Sequence, residues 1–156
     1  MKIEVVPYTP AYRIAFKSLN EWWVKKYFSM EAMDHYYLDH PQENIIDPGG
    51  YIAIALLNGE PAGACALVKM KSGPYDYELA KMGVSPHAHG KGVGFLLGQN
   101  IIAKAKELGA NTIFLESNTI LEPAIRLYRK LGFQEIEAIE TPYDRCNIQM
   151  LLPLDR

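Results

Sequence analysis

The chain has 156 residues and a net charge of −2, with 49% hydrophobic and 22% charged residues. That is the composition of one ordinary globular domain, residues 1–156, able to bury a core of its own, and without a basic block or stripe it argues against nucleic acid as a partner. No apolar run approaches the ~20 residues of a bilayer-crossing helix, the opening stretch lacks the apolar core of a secretory signal, and Cys65 and Cys146, the only cysteines, form neither a disulfide framework nor a zinc site, so a cytoplasmic protein with reduced thiols and no membrane partner is expected.

Residues 3–6 form a short strand stopped by Pro7. Thr9 and Pro10 resemble an N-cap and first helical position, and Ile14, Phe16, Leu19, Trp22, Trp23 and Phe28 then recur at helical spacing. A second helix is expected over 29–38 with Ser29 as its cap, followed by a loop over 41–50. The period then changes. Residues 51–57, 62–69 and 75–84 form three strands, joined by Asn58-Gly59, a strong hairpin signal, and by a turn at Ser72-Gly73-Pro74. They predict an antiparallel meander. After a loop over 85–89, a helix spans about 91–108 and Gly109 ends it. A strand over 112–116 follows. Next comes a helix over 121–131, with Leu121, Ala124, Ile125, Tyr128 and Leu131 on one face; strands over 133–138 and 146–152 close the chain. The order β-αα-βββ-α-β-α-ββ predicts an α/β protein with a mixed sheet and helices packed on it.

The segment Val84-Ser85-Pro86-His87-Ala88-His89-Gly90-Lys91-Gly92-Val93-Gly94 joins a strand to the long helix. Glycine inside a helix costs about 1 kcal/mol against alanine, so glycines clustered here, with Gly98 one turn on, suggest close approach to bare backbone. A helix N-terminus presents unpaired N–H groups to an anion. Lys91 is unfavourable in a first turn unless an anion is near. A phosphate or pyrophosphate ligand follows, against the alternative of an ordinary glycine-rich turn. A P-loop is excluded, because Gly92 follows Lys91 where Ser or Thr is needed. A dinucleotide site, with Glu116 as its ribose acid, is disfavoured because residues 85–89 separate strand from glycines and the preceding strands are not βαβ units.

This segment resembles motif A of the GNAT superfamily of N-acetyltransferases, reading His89-Gly90-Lys91-Gly92-Val93-Gly94 with His where the family has Arg or Gln. The run Ala124-Ile125-Arg126-Leu127-Tyr128-Arg129-Lys130-Leu131-Gly132-Phe133 is similar to its motif B, with Leu121 where the family has Asn. The resemblance spans about residues 51–133. It implies acetyl-CoA as cosubstrate, held by Met82, Val84, His89, Gly90, Lys91, Gly92, Val93, Gly94, Ala124 and Tyr128, with Asn118 replacing the missing Asn. It implies that the Met82 backbone N–H polarises the thioester carbonyl, a type of donor worth about 3–4 kcal/mol. Tyr128 would protonate the departing thiolate. Glu78, six residues before Val84, would be the base for the amine; strand alternation is expected to set it on the same face as Met82. The alternatives for Glu78 are a substrate anchor and a plain salt bridge.

The resemblance further implies a small-molecule amine or a protein amine as acceptor, direct transfer, and a homodimer paired at a sheet edge. A non-catalytic acyl-CoA-binding module is the alternative. His87 and His89 lack a third ligand at metal-like spacing, so no metal is expected. Trp22, Trp23, Tyr27 and Phe28 line an acceptor pocket or belong to the core. Glu31, Asp34, Asp39 and Glu43 suit a cationic amine or form a solvated face. Tyr143, Asp144 and Arg145 lie in the last loop, a region that borders the acceptor in the family.

Overall fold

A computed structural model describes residues 1–138 and 140–155. Seven strands, β1 (Ile3–Pro7), β2 (Tyr51–Leu57), β3 (Glu60–Lys69), β4 (Tyr77–Val84), β5 (Thr112–Ser117), β6 (Gln134–Glu135) and β7 (Ile148–Pro153), form one sheet in the order β1-β2-β3-β4-β5-β7-β6. Among the described residues only β4 and β5 pair in parallel; the other neighbours are antiparallel. Helices α1 (Arg13–Tyr27) and α2 (Ala32–Asp39) cover one face, and α3 (Val93–Glu107) and α4 (Glu122–Leu131) the other. Two cores result. Ala53, Leu67, Leu97, Ile101, Ile113, Leu115 and Phe133 pack beneath α3 and α4, and Phe16, Leu38, Ile45, Ile52, Ile54 and Ala66 beneath α1 and α2. The central strands β2 and β3 are buried almost throughout because helices cover both sides of the sheet.

The expected order holds, and several boundaries move for identifiable reasons. Ser29 does not cap α2. Glu31 does, in a reciprocal box with Asp34, whose carboxylate accepts the Glu31 N–H at 2.9 Å. Thr9 makes no side-chain cap, and Pro10–Tyr12 is a 3₁₀ turn leading into α1. Within the expected loop over 41–50, Gln42–Ile46 closes one π turn that drives Ile45 into the core. The last two strands are shorter than expected. β6 keeps two residues, and β7 starts at Ile148 because the Asn147 N–H turns to the Ser117 carbonyl at the end of β5.

One irregularity decides the site. In the β3–β4 ladder Ala66 faces Ala80 and Ala64 faces Gly83, so Lys81 and Met82 together oppose Cys65. Lys81 takes the left-handed conformation, φ +54°, which makes this a β-bulge. Side-chain parity reverses across it. Tyr77 and Leu79 before the bulge, and Met82 and Val84 after it, pack on the α3/α4 side. Ala80 packs on the α1/α2 side, and Gly83 backs onto Leu19 of α1. Glu78, one step from Leu79, therefore lies on the α1/α2 side. The expectation that it shares a face with Met82 is corrected: unbroken alternation does not survive an inserted residue.

Candidate active site

β4 and β5 pair only at Tyr77 with Ile113 and Glu78 with Phe114. Beyond that they part, and the wedge between them opens a cavity of about 600 Å³. Residues 79–84 of β4 have no β5 partner there, which leaves backbone groups on that side for a ligand. Met82, Val84, His89, Gly90, Gly92, Val93, Gly94, Asn118, Ala124 and Tyr128 all line this cavity. Lys91, between two glycines in the turn, is exposed and stands outside it.

The glycines divide into two roles. Gly90 and Gly92 have φ of +77° and +82°, and a Cβ on either would meet no atom within 4 Å. They shape the turn and leave open space before the N-terminus of α3. Gly94 and Gly98 serve packing instead. A Cβ there would lie 3.0 Å from Leu127 Cδ2 and 2.4 Å from Leu131 Cδ1 respectively, so Gly98 lets α4 approach α3 and takes no part in ligand approach.

His89 differs from the expected phosphate donor. Its Nε2 lies 2.9 Å from the Val84 carbonyl, which can only accept, so that nitrogen carries the proton and closes the loop on the strand end. The ring also stands edge-on to Trp22, with centroids 6.0 Å apart. His87 is separately engaged, Nδ1 to the Ser85 hydroxyl at 2.7 Å. Asn118 lines the cavity, yet its amide is committed: Nδ2 donates to the Arg145 carbonyl at 2.7 Å and Oδ1 accepts from Ile120 N–H at 2.9 Å. It fastens the β5–α4 loop, a job for which the sequence offered no signal.

Tyr128 is 8% exposed and lines the wedge, its ring edge-on to Phe133 at 6.2 Å. Its hydroxyl has no hydrogen-bond partner among the described residues. Burial first, and the neighbouring Cys65 second, push its pKa up, so the phenol keeps its proton. A core tyrosine normally satisfies its hydroxyl with one bond; this one offers its proton to the cavity.

The family model of the acetyltransferase (GNAT) family matches residues 16–133. The chain belongs to that family. Acetyl-CoA-dependent N-acetyl transfer is the chemistry of its members. An uncharacterized N-acetyltransferase of Schizosaccharomyces pombe is 31% identical over 100 residues, 64% of this chain and 61% of that protein, so the match spans less than two thirds of that relative. A GNAT acetyltransferase structure from Staphylococcus aureus Mu50 superposes with a TM-score of 0.88 at 20% identity, over 99% of this chain and 100% of that one. An acetyltransferase structure from Salmonella typhimurium, described with acetyl-CoA as its cofactor, gives 0.75 at 18% identity over 100% and 96%.

This acetyltransferase has a second cavity of about 320 Å³, and Glu78 lines that one, not the wedge. Glu116 and Tyr143 line both and form the partition between them. Burial, then the Glu116 charge, pushes Glu78 up to about 8, with Lys81 opposing. Glu116 is also raised by burial, though Gln149 Nε2 donates to it at 3.1 Å. Two carboxyls thus share one partly dry space, and burial raises both.

Sequence reasoning missed a charged knot beside the partition. Asp34 on α2, with a side chain 0% exposed, accepts from Lys81 Nζ at 2.6 Å and from both terminal nitrogens of Arg145 at 2.6 and 2.7 Å. Burial works to raise the Asp34 carboxyl, but Arg145 and Lys81 outweigh it and hold it well below the usual carboxylate range. Lys81 also donates to the Tyr143 hydroxyl at 2.9 Å, and the Glu31 carboxylate accepts the Asp144 N–H at 2.9 Å. The Arg145 guanidinium lies 5.7 Å from the Trp23 ring centroid and 4.7 Å from that of Tyr143. Asp34 is therefore no solvated acid, and Trp22, Trp23, Tyr27 and Phe28 are cavity wall, not core. The only early signal was the pairing of Glu31 with Asp34 one helical turn apart; Arg145, 111 residues downstream of Asp34, could not be matched to them by spacing.

Among the described residues no helix is long and apolar enough to cross a membrane.

Proposed function

We propose that this acetyltransferase passes the acetyl group of acetyl-CoA directly to a primary amine. One observation carries the reading: the wedge between β4 and β5 joins an open turn, at Gly90 and Gly92 before α3, to a buried phenol, Tyr128, whose hydroxyl has no partner among the described residues. The N–H groups of this cradle take the pyrophosphate, aided by the positive end of α3. His89 shapes this cradle more than it charges it. The Met82 N–H, on the part of β4 released from β5, polarises the thioester carbonyl.

An alkyl amine has a pKa near 10.4 and arrives protonated. Glu78, reached through the Glu116–Tyr143 partition, takes that proton, directly or through a water. The neutral nitrogen attacks the carbonyl carbon, the C–S bond breaks, and Tyr128 donates its proton to the leaving thiolate. The amide and free CoA are the products. Burial pushes both Cys65 and Cys146 up from the usual thiol value, so neither is an activated nucleophile. That favours direct attack over an acetyl-enzyme. The two cysteines are free, which accords with cytoplasmic residence, where thiols stay reduced. The second cavity is of a size for a small amine.

The test is calorimetric titration with acetyl-CoA, CoA and NADH in one buffer, followed by a CoA-release assay over a panel of amines. Selective binding of acetyl-CoA and CoA with amine-dependent CoA release supports the reading. Binding of NADH alone, or of none of the three, refutes it.

A further inference from the structure

We infer that Asp34 is a positioning residue for the thioester end of the site, acting by holding Lys81 in the left-handed turn of the β4 bulge. This rests on the function proposed above.

A left-handed bulge position is one that glycine ordinarily fills, because a Cβ there crowds the following carbonyl. Lysine at φ +54° is therefore held by something beyond its own backbone preference. Its side chain supplies the hold. It is 4% exposed, donates to Asp34 and to the Tyr143 hydroxyl, and lies 5.9 and 4.8 Å from the ring centroids of Tyr37 and Tyr143. Asp34 is fixed in turn by two bonds from Arg145 and one from the Glu31 N–H.

The bulge sets what β4 shows to each side. With it, Met82 faces the wedge, Glu78 faces the second cavity, and Gly83 backs onto Leu19, where a Cβ would come within 2.7 Å of the Leu19 carbonyl oxygen. Without it, a one-residue slip exchanges these faces and drives Met82 or Val84 against α1. The Glu78 carboxylate and the Met82 side chain stay on opposite faces of the sheet only while the bulge holds, and the same extra residue sets the direction of the Met82 N–H along the strand edge. The Asp34–Lys81 pair, two residues from Gly83 and adjacent to Met82, is the contact that holds it.

Glycine at 81 needs no tether and alanine lacks one, so the two substitutions separate backbone geometry from the ammonium. Asp34→Asn and Lys81→Ala are expected to lower kcat roughly tenfold to a hundredfold, with the KM for acetyl-CoA little changed. Lys81→Gly is expected to retain most of kcat, and Asp34→Asn/Lys81→Gly to regain activity over Asp34→Asn alone. In the free proteins, ¹³Cα and ¹³Cβ shifts of residue 81 report its backbone conformation without turnover: left-handed in the parent and relaxed in Asp34→Asn. Lys81→Gly falling as far as Lys81→Ala, no gain in the double variant, or left-handed shifts kept in Asp34→Asn would each overturn the inference. The shifts are read without acetyl-CoA, so they judge this inference even if the parent fails to bind or turn it over, which is the outcome that rejects the proposed function.

Discussion

Replacing Tyr128 by Phe removes one oxygen from a buried ring and should move rate and stability differently. The ring packs against Phe133 and is 8% exposed, and those contacts survive the change. The hydroxyl gives up no hydrogen bond to the described residues, so the usual loss for breaking one does not arise. A buried hydroxyl without a partner carries a desolvation penalty of about 1–3 kcal/mol; the part of it not relieved by cavity water is recovered in the variant. Stability should therefore hold or rise. Turnover should fall, because the thiolate loses its proton donor, a contribution of about 10²- to 10⁴-fold for general acid catalysis. The KM for acetyl-CoA should stay near its parent value. Urea unfolding and steady-state CoA release, run on the same preparations, check both. Unchanged kcat would remove Tyr128 from the mechanism, and a stability loss above about 1 kcal/mol would mean that the hydroxyl serves the fold and not the reaction.

The pH profile tests Glu78. A base must be ionised, and this carboxyl is pushed up to about 8, so kcat/KM should climb as pH rises through 8 and level off above it. Glu78→Gln should remove that limb and most of the activity; a profile flat from pH 6 to 9 in the parent, on the order of one unit either side of neutral to weak base, would rule Glu78 out. The sign for stability is the reverse. The folded form holds this proton more tightly than the unfolded chain does, so the contribution is present below about 4.5 and declines as pH rises toward 8, a slope that Glu78→Gln should reduce in thermal melts, leaving the part due to Glu116. Gly92→Val has open space for its Cβ but forces a β-branched residue to φ +82°; it should cost about 1–2 kcal/mol in stability and weaken CoA binding measured by calorimetry. Normal affinity in that folded variant would discard the cradle as the pyrophosphate site. Arg145→Lys should destabilise the protein by about 1.5–3 kcal/mol, the range for losing a hydrogen bond to a charged group, because an ammonium cannot span both Asp34 oxygens as the guanidinium does. A change within about 0.5 kcal/mol in urea unfolding would show the knot to be a surface contact in energetic terms.

Much of the site was legible because its signals are local. The meander follows from short apolar runs separated by the Asn58-Gly59 and Ser72-Gly73-Pro74 turns, and the cradle from glycines at fixed offsets from a strand end and a helix start. Tyr128 follows from the resemblance of 124–133 to motif B, since its helical period alone reads equally as a core tyrosine. The first two are decided by neighbours in the chain, through φ/ψ limits and side-chain period. What neighbours in the chain do not decide is how a polar side chain is spent. His89 and Asn118 both line the wedge as their motif positions imply, but the His89 Nε2 is engaged by a carbonyl of the preceding strand and the Asn118 amide by the Arg145 carbonyl and the Ile120 N–H.

The amino-acid sequence by itself determined the order of elements, the wedge-side loop and the family, since each depends on residue type at short spacing. Tertiary structure alone decided which face each β4 residue serves and where the charges go. A single left-handed lysine reverses strand parity, and what holds it there is a carboxylate 47 residues earlier in the chain. No period in the sequence encodes that contact, because ion pairing in a buried space depends on which elements fold together and not on how far apart they are along the chain.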